Sequence, residues 1–237
     1  MKGLLLTVTL LAAGSRGAQA DTQRAVLTPP DALAGTAAIV EGNVKGFTYT
    51  FDPAAGPRTI ATLSDVTTDF GSYRDTTLQV ATLGGPINEK QGLFIPELPR
   101  LTDDTRYLIF LNNITWFFSP VVENYVFRIE LNANGTEVLI APTGHAVVGL
   151  SSAGLVFTPD PVVDTHVDFL TPTAKLPLIG TTSNELATAM PKTTFLAIVQ
   201  RLLATTPLQG EFSPVPDSTR VWNVIGTVQE PLRSASH

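Results

Sequence analysis

From Thr36 the chain alternates apolar and polar residues with period two, and the phase of that alternation flips once, at Gly46. Val40, Gly42, Val44 and Gly46 share one face, with Glu41, Asn43 and Lys45 on the other. Beyond Gly46 it is Phe47, Tyr49 and Phe51 that are apolar, and Thr48 and Thr50 that are polar. Side chains along a strand point strictly to alternate faces. A phase flip at a glycine therefore predicts a β-bulge that bends one long strand. Bent strands are how small barrels turn their corners, so residues 36–111 are expected to wrap into a small closed roll, kinked at Gly46, rather than lie as a flat ribbon.

The rest of the chain extends the same pattern. Asp52 to Pro57 is a turn and Arg58 to Val66 a returning strand, so 47–66 reads as a hairpin. Thr67 to Asp75 reads as a polar loop, Thr76 to Leu83 as a third strand closed by Gly84-Gly85-Pro86, and Gly92 to Pro96 as a short fourth. Arg106 to Leu111 (RYLIFL) is the most apolar strand of this half and should be central. Tyr125 to Leu131 alternates cleanly, Asn134-Gly135 is a hairpin turn, and Glu137 to Ala141 is its return. Ala146 to Leu150, Leu155 to Phe157 and Val221 to Val228 add further strands. Phe195, Leu196, Val199, Leu202 and Leu203 form one apolar stripe at helical spacing, predicting a helix at about 193–204 capped by Thr193 or Thr194; Ser183 to Met190 suggests a shorter helical turn. Residues 21–35 read as an extended N-terminal arm.

The first twenty residues read as an address. Lys2 is followed by the apolar run Leu4 to Ala13, too short to cross a bilayer of roughly 30 Å, and then by Ala18-Gln19-Ala20 before Asp21. That is the pattern of a cleaved secretory signal peptide. Val138 to Pro159 holds no Asp, Glu, Lys or Arg, but Pro142, Gly144, Gly149 and Gly154 break it into short strands rather than a membrane helix. The chain has no Cys, which excludes disulfides, thiolate metal sites, a Cys nucleophile and a lipoprotein anchor. An exported chain without Cys fits a bacterial route, to the periplasm or the exterior; Asn113 and Asn134 then head sequons of no consequence. A net charge of −6 argues against a nucleic-acid partner.

Residues 36–112 resemble the netrin-like, or tissue-inhibitor-of-metalloprotease-like, branch of the OB-fold barrels. The resemblance is carried by the opening strand Ala38-Ile39-Val40-Glu41-Gly42-Asn43-Val44, the block Ile60 to Leu83, and the phrase Leu101 to Leu111 with its Tyr107-Leu108-Ile109-Phe110-Leu111 strand. The chain is also similar to a group of small bacterial secreted proteins. In those, an aromatic-Pro segment like Trp116 to Val122 follows the barrel, and a late helix precedes a stretch like Phe212-Ser213-Pro214-Val215-Pro216. The resemblance implies a mainly β fold: an OB-like small barrel over 36–112, with a β extension and one helix over 113–237, packed as one unit. The inhibitors of this branch chelate zinc through an N-terminal Cys; here Asp21 would begin the mature chain, so that route does not carry over.

Candidate chemistry is sparse. Asp164, His166 and Asp168 would share one face of a strand, and His145 could complete a divalent-metal set. Same-face neighbours are roughly 7 Å apart, however, and converge poorly on one ion; a solvated polar stripe is the competing reading. Asp65, Asp69, Asp75, Asp103, Asp104 and Glu97 could supply paired carboxylates or a loop calcium site, although Asp belongs in turns for local reasons and no EF-hand spacing occurs. No Gly-x-Ser-x-Gly elbow is present. Trp116, Phe117 and Phe118 cannot all face one side of a strand, which makes them candidates for a patch that binds a protein or a glycan, with core packing as the alternative. The expectation is an exported, non-enzymatic β-barrel binding module of the envelope or exterior, without a catalytic residue or cofactor. The alternatives are a secreted metal-dependent hydrolase using the His145/Asp164/His166/Asp168 set, and a structural protein with no discrete ligand.

Overall fold

A computed structural model describes residues 28–52, 56–88, 91–93, 99–112, 121–165, 175–179, 183–210, 212 and 223–228. Its frame is the long hairpin β1 (Ala38–Asp52) and β2 (Gly56–Gly71). These join β3 (Leu78–Leu83), β6 (Arg106–Leu111), β7 (Val121–Leu131) and β8 (Glu137–Ile140) in an antiparallel sheet ordered β3-β2-β1-β6-β7-β8, with β11 (Asn223–Val228) also paired to β1. Two small hairpins, β4 (Gly85–Asn88) with β5 (Gln91–Leu93) and β9 (Val147–Ser151) with β10 (Gly154–Phe157), stand beside it. The helices are α1 (Pro29–Ala34), α2 (Ser183–Thr188) and α3 (Lys192–Leu203). The fold is mainly β, as expected. Among the described residues no ladder joins β3 to β8, so the expected closure of the roll is not expressed as strand pairing.

A bulge falls where the alternation flips. Val44 pairs with Leu63 and Gly46 with Thr62, leaving Lys45 as the extra residue of a bulge. Because one residue is inserted, Ala38, Val40 and Val44 before the bulge and Phe47 and Tyr49 after it all enter the same core. The other edge of β1 changes partner across the same point: Ala38 to Asn43 pair with β6, and Phe47 to Phe51 pair with β11. Two more irregularities lie on the β2 side, where Asp69 is the extra residue between Thr68 and Phe70, and where Asp65 adopts the left-handed φ of 54°.

Both faces of the sheet are covered, which explains why RYLIFL shows no alternation. Tyr107, Ile109 and Leu111 enter the core that holds Val40, Val44, Leu63 and Val80. Leu108 and Phe110 enter a second core with Ile39, Phe127, α1 and α3. There Phe110, Phe127 and Phe195 interlock edge to face, with Phe127 and Phe195 centroids 5.4 Å apart, and Tyr125 meets Phe127 edge to face and Phe110 at a tilt. A third cluster packs Val138, Ile140, Val162 and Val163 against Leu186 and Ala189 at the α2 end. The turn at Asn134-Gly135 forms as expected: Gly135 has φ 72°, and Asn132 Oδ1 accepts from the Asn134 and Thr136 amides, each at 3.0 Å.

Three local expectations need correction. Residues 29–34 are helical rather than part of an extended arm. Thr28 is the N-cap, prolines occupy the first turn, and Ala32 and Leu33 are buried in the second core. Thr67 to Gly71 belong to β2 rather than a loop, because the bulges keep a polar segment in register with Ala38 to Glu41. The N-cap of α3 is Pro191 and makes no side-chain cap bond, so neither Thr193 nor Thr194 caps it. Of the expected fourth strand, Gly92 and Leu93 lie in β5 and the rest falls outside the described residues.

Candidate functional site

Charged side chains from five elements meet at one place. Glu41 lies on β1, on the face opposite Val40 and Val44, and is only 3% exposed. A carboxylate that deep requires partners. The neighbouring strand supplies Arg106, whose guanidinium donates to Glu41 Oε2 and to Glu137 Oε1. Helix α3 supplies Lys192, whose Nζ lies 2.6 Å from Glu41 Oε1 and 2.5 Å from Glu137 Oε2. Both oxygens of each glutamate are therefore held by the two cations, and the ring of four is charge-neutral. Lys192 occupies the first turn of α3, where the helix dipole disfavours a cation; the two carboxylates beyond it offset that placement.

Asp69 is the fifth member. It is the extra residue of the β2 bulge, two places from Thr67, the ladder partner of Glu41, and its carboxyl is pushed up to about 6. Desolvation is the main cause; the Glu41 charge and the hydrogen bond to Glu41 add to it, against the opposing pull of Lys192 and Arg106. Asp69 sits at the exposed rim. Glu137 moves the other way. Burial pushes it up, but Lys192 and Arg106 outweigh that and hold it below the usual carboxylate range.

A second polar cluster lies on the other face. Arg128 is buried, donates from Nε to Glu130 at 2.6 Å, and donates from Nη1 to the Leu176 carbonyl at 2.7 Å. Beside it the Tyr107 hydroxyl accepts from the Thr102 amide at 3.0 Å and meets the Thr102 hydroxyl at 3.0 Å. The cleft between Arg100, Arg128, Tyr107 and Thr165 holds a cavity of about 30 Å³, room for one or two waters.

The residues singled out from sequence fare unevenly. The Gly144-His145 turn does approach the 162–165 segment: the Gly144 carbonyl accepts from the Val162 and Val163 amides at 2.7 and 3.1 Å. Val163 makes only an isolated bridge to Leu178, so the expected strand does not form at Asp164. The His145 ring is held through Nδ1, 2.8 Å from the Thr158 carbonyl oxygen. His166 and Asp168 lie outside the described residues, as do Trp116, Phe117, Phe118 and Glu97. Among the described residues no three His, Asp or Glu side chains are grouped to hold an ion. Asp65 accepts from its neighbour Ser64 at 2.9 Å, a local contact, and Asp104, in the turn before β6, pairs on the surface with Lys45 of β1 at 2.9 Å.

The cluster was missed because its members are far apart in sequence, and Glu41, Arg106 and Glu137 each begin or interrupt an apolar run. The available signal was Glu41 itself, a lone carboxylate inside Ala38-Ile39-Val40-Glu41-Gly42-Asn43-Val44. No family model, curated protein or solved structure matches the chain.

Proposed function

We propose that this chain is an exported, non-enzymatic β-barrel module that binds a protein partner through its outer surface. The observation that carries the reading is how the interior polar groups are engaged: Glu41, Arg106, Glu137 and Lys192 bind one another, and Arg128 binds Glu130 and a carbonyl. Groups arranged in this way fasten α3 and the 175–179 segment to the sheet. Recognition is then left to the surface, where Ile87 and Leu93 expose apolar side chains on one small hairpin, and to the aromatic run Trp116, Phe117 and Phe118. The change of β1 partner across Lys45 supports the OB-like, netrin-like roll, because a strand that pairs with different neighbours along its two halves turns a corner. Export rests on the leader pattern of residues 1–20.

The test is retention of a partner from envelope extract by immobilised wild type, by Trp116→Ala and by an Ile87→Asp/Leu93→Asp double variant. A band held by wild type and lost in either variant supports the proposal. No band above a blank resin, or one unaffected by both variants, removes it.

A further inference from the structure

We propose that Asn134 is a latent deamidation site: its side-chain amide is converted to a carboxyl when the β7–β8 hairpin opens, and is guarded while the hairpin is closed. Asn134-Gly135 is the one Asn-Gly step in the sequence, and both residues are exposed to water. The chemistry is intramolecular. The Gly135 amide gives up its proton to hydroxide, and its nitrogen attacks Asn134 Cγ. A nitrogen–carbon bond forms, the side-chain nitrogen leaves as ammonia, and water opens the resulting ring at either carbonyl. One opening gives aspartate at 134. The other gives isoaspartate, in which the main chain runs through the former side chain and is one carbon longer. A following glycine suits the attack because it has no Cβ to crowd the nitrogen.

The closed turn withholds the attacking atom. The Gly135 amide donates to the Asn132 carbonyl at 2.9 Å, and the Asn132 amide donates to the Thr136 carbonyl at 2.9 Å. Asn132 Oδ1 accepts from the Asn134 and Thr136 amides, each at 3.0 Å. An amide held as a donor keeps the proton that must leave before its nitrogen can attack. The same bonds fix the backbone on both sides of Asn134, so Cγ cannot swing over the nitrogen. Opening of the hairpin end releases both constraints. The two products differ in consequence. Aspartate at 134 leaves the backbone as it was. Isoaspartate lengthens a loop whose span is set by those four bonds and pushes Gly135 away from the Asn132 carbonyl. That loosens the start of β8, from which Glu137 holds Arg106 and Lys192.

The full chain is incubated at mildly alkaline pH, either folded or unfolded in guanidinium chloride. Conversion at each Asn is followed by peptide mass spectrometry, with isoaspartate scored separately. In the unfolded chain Asn134 should convert ahead of every other Asn, and in the folded chain it should convert at least about tenfold more slowly than in the unfolded one. Asn132→Ala, which removes the side-chain acceptor of the turn, should raise the folded rate toward the unfolded one. Amide hydrogen exchange over 137–140 should quicken in the isolated isoaspartate form and stay at the wild-type level in Asn134→Asp. Equal rates in folded and unfolded wild type, another Asn converting first in the unfolded chain, or a folded Asn132→Ala no faster than wild type would overturn the proposal. The two wild-type comparisons need no variant, so the proposal stays falsifiable even if Asn132→Ala folds poorly.

Discussion

Replacing Lys192 with Met removes a cation whose stem is buried and leaves the packing volume nearly unchanged. The side chain of Lys192 is 9% exposed, that of Glu41 5% and that of Glu137 31%. Breaking a buried ion pair from one side typically costs about 3–5 kcal/mol, because the remaining charge stays desolvated. Two features place this case at the low end. Glu41 keeps its bond to Arg106, and the Glu137 arm is open enough to solvent that its pair contributes at most about 1 kcal/mol. Lys192→Met is therefore expected to lose about 3 kcal/mol in urea unfolding followed by circular dichroism, with an unchanged denaturant slope. The double variant Glu41→Gln/Lys192→Met removes both buried charges together, and its loss should fall short of the sum of the single losses by roughly 1–3 kcal/mol. A single-variant loss within about 0.5 kcal/mol, or simple additivity in the double, would refute the view that the cluster fastens α3 to the sheet.

Other consequences follow from the same structure. Phe195→Ala, at the centre of the aromatic contacts with Phe110 and Phe127, should cost about 3–5 kcal/mol in the same unfolding assay. Two glycines separate backbone strain from crowding. Gly135→Ala meets open space at φ 72° and should cost about 1 kcal/mol, whereas Gly71→Ala adds a clash with the Ala37 carbonyl and should cost about 3 kcal/mol or more. Stability should also depend on pH in two opposite ways. Asp69 has a raised carboxyl, so its contribution is fully present below the ordinary 3.8 and is lost as pH rises through about 6. Glu137 has a lowered one, so its contribution is present above the ordinary 4.5 and is lost as pH falls. Urea midpoints should therefore peak in mildly acidic solution, and Asp69→Asn should flatten the decline on the neutral side. The exposure of Asp69 keeps that decline well below the roughly 3 kcal/mol that two pH units would represent for a fully shielded group.

Much of the fold was legible because apolar burial writes itself into spacing. The flip at Gly46 marked the bulge at Lys45, Asn134-Gly135 marked its hairpin, and the 195–203 stripe marked α3. The failures share a physical cause. The strand from Thr67 to Gly71 is held by backbone bonds to β1 across two bulges, and backbone bonds leave no trace in side-chain polarity. Helix α1 was announced by Thr28-Pro29-Pro30-Asp31, but six residues are too few to display a period. The cluster at Glu41 depends on β6, β8 and α3 arriving at one point, a matter of topology rather than of local pattern.

The proposed roll depends on β1 changing partner across Lys45. Cross-strand nuclear Overhauser contacts along the edge of β1 that faces away from β2 test it most directly. Gly42 should show contacts to Tyr107, and Tyr49 to Gly226, with the change of partner falling between Asn43 and Phe47. A β1 that keeps β6 as its neighbour through Tyr49 and Phe51 would be a straight ribbon, and would contradict both the bend and the roll drawn from it.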